Sequence, residues 1–337
     1  MDVLTHGLVG AALALSGARR HEARLAAGIG FVAGTAADLD VLIGRDSDPL
    51  LAVEYHRHFS HALAFIPVGA LLAAGVLWPL LRGRGVFTRL YLFALLGYSA
   101  SGLLDACTSY GTHLLWPFSN ERVAFNIISI VDPIFTLALM AGVVISCVKR
   151  QRAAAWAALG AAGCYLLFGF AQHGRAEQMQ AELARERGQQ VERAVVKPTI
   201  GNLLLWRSVY QAGGRYHVDA LRVGWFDWFG GSRVYVGGSL SQLELGRDLP
   251  PIPDASVLRA DIERFAVLSD GFVVQHPEHR AVLGDVRYAN EPSSLSPLWG
   301  IELDPARPEQ HVRYEFFREV SASTRQRFLA MLLGREP

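Results

Sequence analysis

Residues 56–84 read HRHFSHALAFIPVGALLAAGVLWPLLRGR, and this stretch gives the clearest indication of the fold class. Its centre, 61–81, is apolar over the roughly 20 residues that a helix needs to cross a bilayer. Histidines stand at one end of this segment and arginines at the other. Charged and titratable groups are costly at hydrocarbon depth, so they are expected at its two surfaces. The stretch therefore predicts a transmembrane helix whose two ends differ in chemistry.

The same pattern recurs through the first half of the chain. The 337 residues are 51% apolar with a mean hydropathy of +0.22, and the apolar residues concentrate before residue 172. Six segments approach the length of a membrane span, although the first and fifth are short. The predicted spans are 4–18, 25–43, 61–81, 89–109, 133–148 and 153–171.

Basic residues predict the orientation of these spans. Arginine and lysine fall in alternate connections, at 19–24, 82–89 and 149–152. Such connections are expected in the cytoplasm, which puts both termini on the outer side. Residues 1–5 carry no basic run, and no cleavage pattern follows, so we expect the first span to be retained.

The fold class predicted is an α-helical membrane bundle of about six transmembrane helices, followed by a small α+β extramembrane domain. The bundle takes residues 1–172, a connecting helix takes 173–197 and ends at Pro198, and the outer domain takes 198–337. Helices are expected at 255–268 and 321–334. Strands are expected at 203–210, 215–223, 233–237, 271–275, 280–288, 298–303 and 311–318.

Carboxylate and imidazole groups gather beside one predicted membrane surface. Together they suit a divalent metal, with zinc favoured and manganese or iron as alternatives. Asp38 and Asp40 repel each other unless a cation lies between them, and at a helix C-terminus they oppose the helix dipole. The predicted ligands number six, more than one catalytic zinc takes, so we expect two ions. These ligands are His6, Asp38, Asp40, His56, His61 and Asp105.

Other residues of this surface receive separate predictions. Asp40, another carboxylate, or His58 serves as the general base, and the sequence leaves that choice open. Arg57 and Arg122 grip a substrate phosphate or balance the acidic charge. Ser60 is expected to cap the third span. Asp132 is expected to cap a helix that starts at Pro133. His113 is either a member of this layer or a lone surface histidine. The three cysteines, Cys107, Cys147 and Cys164, are expected to be small core residues.

Four motifs carry a resemblance to a known family. They are MDVLTHG at 1–7, DLD at 38–40, HRHFSH at 56–61 and DACTSYGTHLLWPFS at 105–119. In combination they resemble the LexA-regulated, inner-membrane-bound metal-dependent hydrolases. The resemblance extends to the segments 206–209 and 285–288 of the outer domain. It implies a bacterial inner-membrane location and a hydrolase activity whose substrate is poorly defined.

The function expected is therefore that of a metal-dependent hydrolase with its site at the outer membrane surface. A site at headgroup depth favours a lipid or lipid-linked phosphoester as substrate. A membrane metallopeptidase is the main alternative, although the chain has no H-E-x-x-H motif. A non-enzymatic metal-binding scaffold protein stays open, and a transporter is disfavoured because the charged groups lie at a rim. The net charge of +1 gives no reason to expect nucleic acid as a partner.

Overall fold

The computed structural model describes residues 1–45, 47–224, 231–244, 246–249 and 251–337. The chain forms two compact units, which we call the membrane unit and the sheet unit. The membrane unit holds Met1–Ile43, Glu54–Ala171 and Ile200–Asn202. The sheet unit holds Gly44–Val53, Gln172–Thr199 and Leu203–Pro337. The short segment 44–53, which the sequence assigns to the bundle, therefore belongs to the sheet unit.

Apolar helices build the membrane unit. Among the described residues, four helical stretches are long and apolar enough to cross a membrane: Arg20–Leu42, Leu63–Leu81, Phe87–Ala106 and Ala153–Glu186. Two of the six predicted spans are shorter apolar helices instead, so the structure does not establish six crossings. The first eight α-helices of the described chain are α1 Val3–Ser16, α2 Ala23–Ala36, α3 Pro49–Tyr55, α4 Ile66–Leu81, α5 Phe87–Tyr98, α6 Ser101–Ala106, α7 Pro133–Lys149 and α8 Ala153–Glu186. Residues 49–53 of α3 and 172–186 of α8 belong to the sheet unit.

The caps of two helices differ in how well the sequence predicts them. The predicted cap at Asp132 is confirmed, because its carboxylate accepts a hydrogen bond from Phe135 N at 3.1 Å. The predicted cap at Ser60 is wrong. A tight 3₁₀ turn, Phe59–His61, precedes α4, and the Ser60 hydroxyl donates instead to Asp40 Oδ2 at 2.6 Å. The hydroxyl is thus used to hold a carboxylate.

Two glycines allow close backbone packing next to His6 and His61. A Cβ on Gly34 of α2 would lie 2.6 Å from the carbonyl oxygen of His6. A Cβ on Gly102 of α6 would lie 1.9 Å from the carbonyl oxygen of His61. Small residues at such crossings let membrane helices approach closely. These contacts fix where the two histidines sit.

The cysteines divide between the interior and the surface of the membrane unit. Cys107 and Cys147 are partly buried, whereas Cys164 of α8 is exposed. The prediction that all three are core residues is therefore wrong for Cys164. An exposed apolar side chain on a membrane helix is suited to contact with lipid, so its small sulfur needs no protein partner.

Two antiparallel sheets build the sheet unit, as the α+β prediction requires. Their strand orders are β1-β2-β3-β4 and β5-β6-β7-β8, so each sheet is a simple meander. Ser256 and Ser321 cap the two helices α9 Val257–Leu268 and α10 Ala322–Leu332. The strands are β1 Arg193–Pro198, β2 Leu205–Ala212, β3 Arg215–Arg222, β4 Arg233–Ser241, β5 Val273–Gln275, β6 Val282–Asp285, β7 Trp299–Glu302 and β8 Arg313–Phe316.

The predicted connecting helix, 173–197, is correct only in its first part. Helix α8 ends at Glu186, and Gly188 follows with a φ of +67°, a left-handed conformation that glycine adopts freely. Strand β1 then pairs antiparallel with β2. Val195 and Val196 favour a strand because they are β-branched. Glycine and valine signals thus outweigh the helix-forming residues of this segment.

Candidate metal centre

Four side chains from separate parts of the membrane unit come together. Each offers one ligand atom, and these atoms all lie within 4.8 Å of one another. We call this set the four-residue group. It consists of His6 of α1, Asp38 of the 3₁₀ turn that follows α2, His61 of the turn before α4, and Asp105 of α6.

The facing atoms have the spacing of a coordination shell. His61 Nε2 lies 3.1 Å from Asp105 Oδ2 and 3.5 Å from Asp38 Oδ1. His6 Nε2 lies 3.3 Å from Asp105 Oδ1. Zinc ligands stand about 2.0–2.2 Å from the ion, so two ligands of a tetrahedral site lie about 3.3–3.6 Å apart. The geometry therefore fits a bound divalent ion.

Three of these atoms lack hydrogen-bond partners. His6 Nε2, His61 Nε2 and Asp105 Oδ2 are buried and make no hydrogen bond to any described residue. Buried polar atoms in native proteins are satisfied in the great majority of cases. A cation at this point would satisfy all three atoms at once, since an imidazole lone pair and a carboxylate oxygen repel each other without one.

The other nitrogen of each imidazole is fixed by hydrogen bonding. Asp38 Oδ2 accepts from His6 Nδ1 at 2.8 Å, because an ionised carboxylate can only accept. His61 Nδ1 lies 3.0 Å from Ser60 Oγ and 3.1 Å from Asp40 Oδ2. Ser60 already donates to Asp40, so His61 Nδ1 is the donor. Both rings thereby keep the Nε2 lone pair for a metal, as in carboxylate–histidine–metal arrangements.

Arg57 supplies positive charge from an unusual backbone conformation. It is 4% exposed with a φ of +63°, a region that few residues other than glycine adopt. Its Nη2 lies 3.1 Å from Asp105 Oδ1, its Nη1 donates to Thr108 Oγ1 at 2.8 Å, and its backbone N donates to Asp40 Oδ2. The Met1 amino group also contacts Asp105 Oδ1. The predicted phosphate-gripping role of Arg57 therefore does not fit, because its guanidinium is buried against Asp105.

Asp40 and His56, predicted as ligands, lie beside the four-residue group and not in it. Asp40 Oδ1 accepts from His56 Nδ1 at 2.8 Å, and Asp40 Oδ2 serves the backbone of Arg57, the Ser60 hydroxyl and His61. All its acceptor capacity is directed at protein donors. The predicted six-residue set thus divides into four residues that face one another and two that support them.

His58 belongs to an aromatic cluster outside the four-residue group. Its ring centroid lies 4.4 Å from that of His113 and 5.8 Å from that of Trp116. Burial lowers the pKa of both histidines, and burial together with the neighbouring His58 and Arg122 lowers the pKa of His113 to about 4. Arg122 donates from Nη2 to the carbonyl oxygen of Tyr110 at 2.7 Å. These two predicted catalytic residues, His58 and Arg122, are therefore held by local contacts.

A second set of possible ligands lies in the sheet unit, and sequence reasoning missed it. Asp48, Asp261 and His311 bring ligand atoms within 4.8 Å of one another. Asp261 Oδ2 accepts from His311 Nδ1 at 2.9 Å and from Val312 N at 3.1 Å. Arg264 donates to both carboxylates, at 2.7 and 3.1 Å. No sequence motif joins these distant residues, so only the fold could reveal them.

The membrane unit is the part of the chain that matches known proteins. Residues 1–176, slightly more than half of the 337, match the family described as YdjM inner membrane protein. The chain is also similar to the uncharacterized protein YfhP of Bacillus subtilis (strain 168), with 26% identity over 118 residues. That similarity covers 35% of this chain and 36% of YfhP. No solved structure matches.

Proposed function

The chain belongs to the YdjM inner membrane protein family, and we propose that it is a metal-dependent hydrolase of that membrane. The observation that carries the proposal is the four-residue group, with three buried ligand atoms that face one another without hydrogen bonds. His6, Asp38, His61 and Asp105 would hold the metal. Four ligands suit a single ion. The expectation of two ions was based on six predicted ligands.

The donor set limits the metal and the chemistry. Two imidazole nitrogens and two carboxylates suit zinc, with manganese or iron as alternatives. Such an ion, when bound, lowers the pKa of water and polarises a substrate oxygen. The side chains of His6, His61 and Asp105 are fully buried, whereas that of Asp38 is 11% exposed. Asp38 therefore marks the side from which a substrate reaches the group.

His56 is the residue best suited to move a proton here. Its side chain is 38% exposed, and its Nδ1 is fixed by Asp40 Oδ1 at 2.8 Å. A carboxylate in this position orients the ring and leaves Nε2 as the acceptor, as it does for other histidine bases. The ring centroid of His56 lies 6.3 Å from that of His61. We therefore assign general-base work to His56 in place of His58.

A lipid or lipid-linked phosphoester is the substrate class that the surroundings support. The turn that carries Asp38 and Asp40 also carries three exposed apolar side chains. These side chains end the candidate membrane stretch Arg20–Leu42, a position suited to contact with acyl chains. A substrate anchored in the bilayer would thus present its headgroup to Asp38. The exposed side chains are Leu39 at 61%, Val41 at 58% and Leu42 at 77%.

The test uses the full chain purified in detergent, with metal analysis and parallel assays on a phosphodiester lipid and on peptides. We expect metal-dependent hydrolysis of the phosphodiester lipid. His56→Gln should keep the metal and lower kcat by about 10²–10⁴-fold, the range for loss of an acid–base group. The matched control is His217→Gln in the sheet unit, which should leave kcat unchanged.

Other outcomes would assign the protein differently. Hydrolysis of peptides alone would make it a membrane metallopeptidase. A stoichiometric metal without hydrolysis of either substrate class would favour a metal-binding scaffold protein. Equal activity of wild type and His56→Gln on the lipid would remove His56 from the reaction.

A further inference from the structure

Arginines from three connections line one cavity of the membrane unit. The cavity has a volume of about 650 Å³ and is bounded by the α1–α2 connection, the first turn of α5 and the α7–α8 connection. This volume lies within the roughly 300–1,000 Å³ usual for small-ligand sites. Its polar lining consists of Arg19, Arg20, Arg89, Arg150, Gln151 and Arg152.

The positive charge of this cavity is poorly balanced. Arg89 Nη2 pairs with Glu22 Oε2 at 2.5 Å, and the same carboxylate accepts from the backbone N of Arg19 at 2.9 Å. Within the described parts of the chain, the other four arginines have no carboxylate within 4.0 Å. Four guanidinium groups therefore remain available to an anion that enters the cavity.

The backbone adds to the preference for an anion. Helix α8, 34 residues long, begins at Ala153, which lines the cavity. The first N–H groups of a helix lack internal partners and carry partial positive charge, a combination that suits phosphate. These groups supplement the guanidinium groups at the same point.

Arg150 occupies a position that is usually given to glycine. It follows α7 in the left-handed conformation, with a φ of +51° and a ψ of +46°. A glycine there would avoid the steric cost that other residues incur. At this strained position the long basic side chain lines the cavity.

We infer that this cavity binds the phosphate headgroup of an anionic membrane lipid. Guanidinium groups bind phosphate oxygens in pairs, and basic pockets between membrane helices are suited to lipid headgroups. The cavity opens at the ends of apolar helices, where the exposed side chains of Val148 and Trp156 flank the cavity-lining residues 150–153. A lipid is therefore favoured over a soluble phosphate, which would gain nothing from those apolar side chains.

The site is separate from the proposed metal centre. His6 lies near the start of α1, whereas Leu15 and the cavity lie at its end. Asp38 and Arg20 likewise lie at opposite ends of the stretch Arg20–Leu42. The inference therefore stands or falls independently of hydrolysis.

The test measures binding of dioleoyl phosphatidylglycerol to the full chain in neutral detergent, by native mass spectrometry and by thermal melts. Dioleoyl phosphatidylcholine is the zwitterionic comparison, and sodium pyrophosphate is the soluble one. The variant is Arg150→Gly with Arg152→Gln. The glycine relieves the left-handed strain, so the variant should fold at least as well as wild type. Its affinity for phosphatidylglycerol should fall about thirtyfold, or five- to sixfold for each charge lost.

The matched control is Arg82→Gln with Arg84→Gln. It removes the same charge from the α4–α5 connection, outside the cavity, and should weaken binding by about twofold or less. An equal loss in both variants would show general attraction to an anionic surface and would overturn the site. Stabilisation by pyrophosphate but not by phosphatidylglycerol would overturn the lipid assignment. No response to either compound would overturn both the anion site and the lipid assignment.

Discussion

Two groups in this protein are built from the same two residue types, aspartate and histidine, but differ in chemistry. In each, ligand atoms lie within 4.8 Å of one another. In the four-residue group of the membrane unit, three buried atoms have no hydrogen-bond partner among the described residues. In the group of Asp48, Asp261 and His311, Arg264 and a backbone N–H occupy the carboxylates.

Proximity alone therefore does not identify a metal site. An arginine already neutralises the carboxylates of the sheet unit, so that group is a structural ion-pair network that ties the segment 44–53 to α9. The four-residue group keeps buried, facing ligand atoms that a divalent cation would satisfy together. Unsatisfied buried atoms are therefore the informative feature, because a protein tolerates few of them.

The largest expected effect is a loss of metal that is confined to one group. His61→Ala should lose most of the bound divalent ion, since it removes one of four ligands. His311→Ala, the matched change in the sheet unit, should retain it. Elemental analysis of both purified proteins checks this. Equal metal content in the two variants would erase the distinction between the groups.

A smaller effect should follow from moving a ligand without removing it. Gly102→Ala places a Cβ within 1.9 Å of the His61 carbonyl oxygen, so that turn must shift. Disturbed ligand positioning typically costs about 10–100-fold in metal affinity, and competition with a chelator would measure this. Gly75→Ala in α4 is the control, because its Cβ meets no atom within 4 Å. If both alanine variants bind metal as tightly as wild type, the packing of Gly102 against His61 does not control metal affinity.

The smallest expected effect concerns His113, whose buried Nδ1 lacks a partner among the described residues but has no carboxylate facing it. Its pKa is about 4 in the folded protein and about 6.5 when unfolded, so the unfolded state binds more protons between these values. Stability should therefore fall as the pH drops from about 6.5 to 4, by roughly 2 kcal/mol given partial exposure.

Thermal melts in the presence of a chelator would isolate this effect from metal release. His113→Gln should flatten the pH dependence over that interval, because its side chain does not titrate there. An unchanged slope would mean that His113 titrates alike in the folded and unfolded states, and would contradict the lowered pKa.

Several features could be read from local sequence because local physics controls them. Apolar length predicts the helices, and Asp132 before Pro133 predicts a cap. Strand-forming runs separated by Gly, Pro, Asp and Asn predict most strands of the sheet unit. The polar layer at one end of the predicted spans holds all members of the four-residue group. Local patterns fail where two signals compete, as in 187–198, where a left-handed glycine and β-branched residues redirect the chain.

The separate roles of the polar residues within that layer could not be predicted from the sequence. Asp38 and Asp40 are two residues apart and chemically identical, yet one faces His6 and the other is enclosed by donors. The sequence alone suggests that Arg57 is free to bind an anion. In the structure, its backbone is left-handed and its guanidinium contacts Asp105. Each outcome depends on which neighbour packs nearby.

The amino-acid sequence predicts apolar helices, a histidine- and aspartate-rich end, an arginine-rich end and a following α+β domain. Those properties depend on composition and spacing, which act over one helix turn or one span. Which polar atoms find partners depends instead on tertiary packing, in both Asp/His groups and in the arginine-lined cavity. Hydrogen bonds act over about 3 Å between residues far apart in the chain, so the fold alone brings them into range.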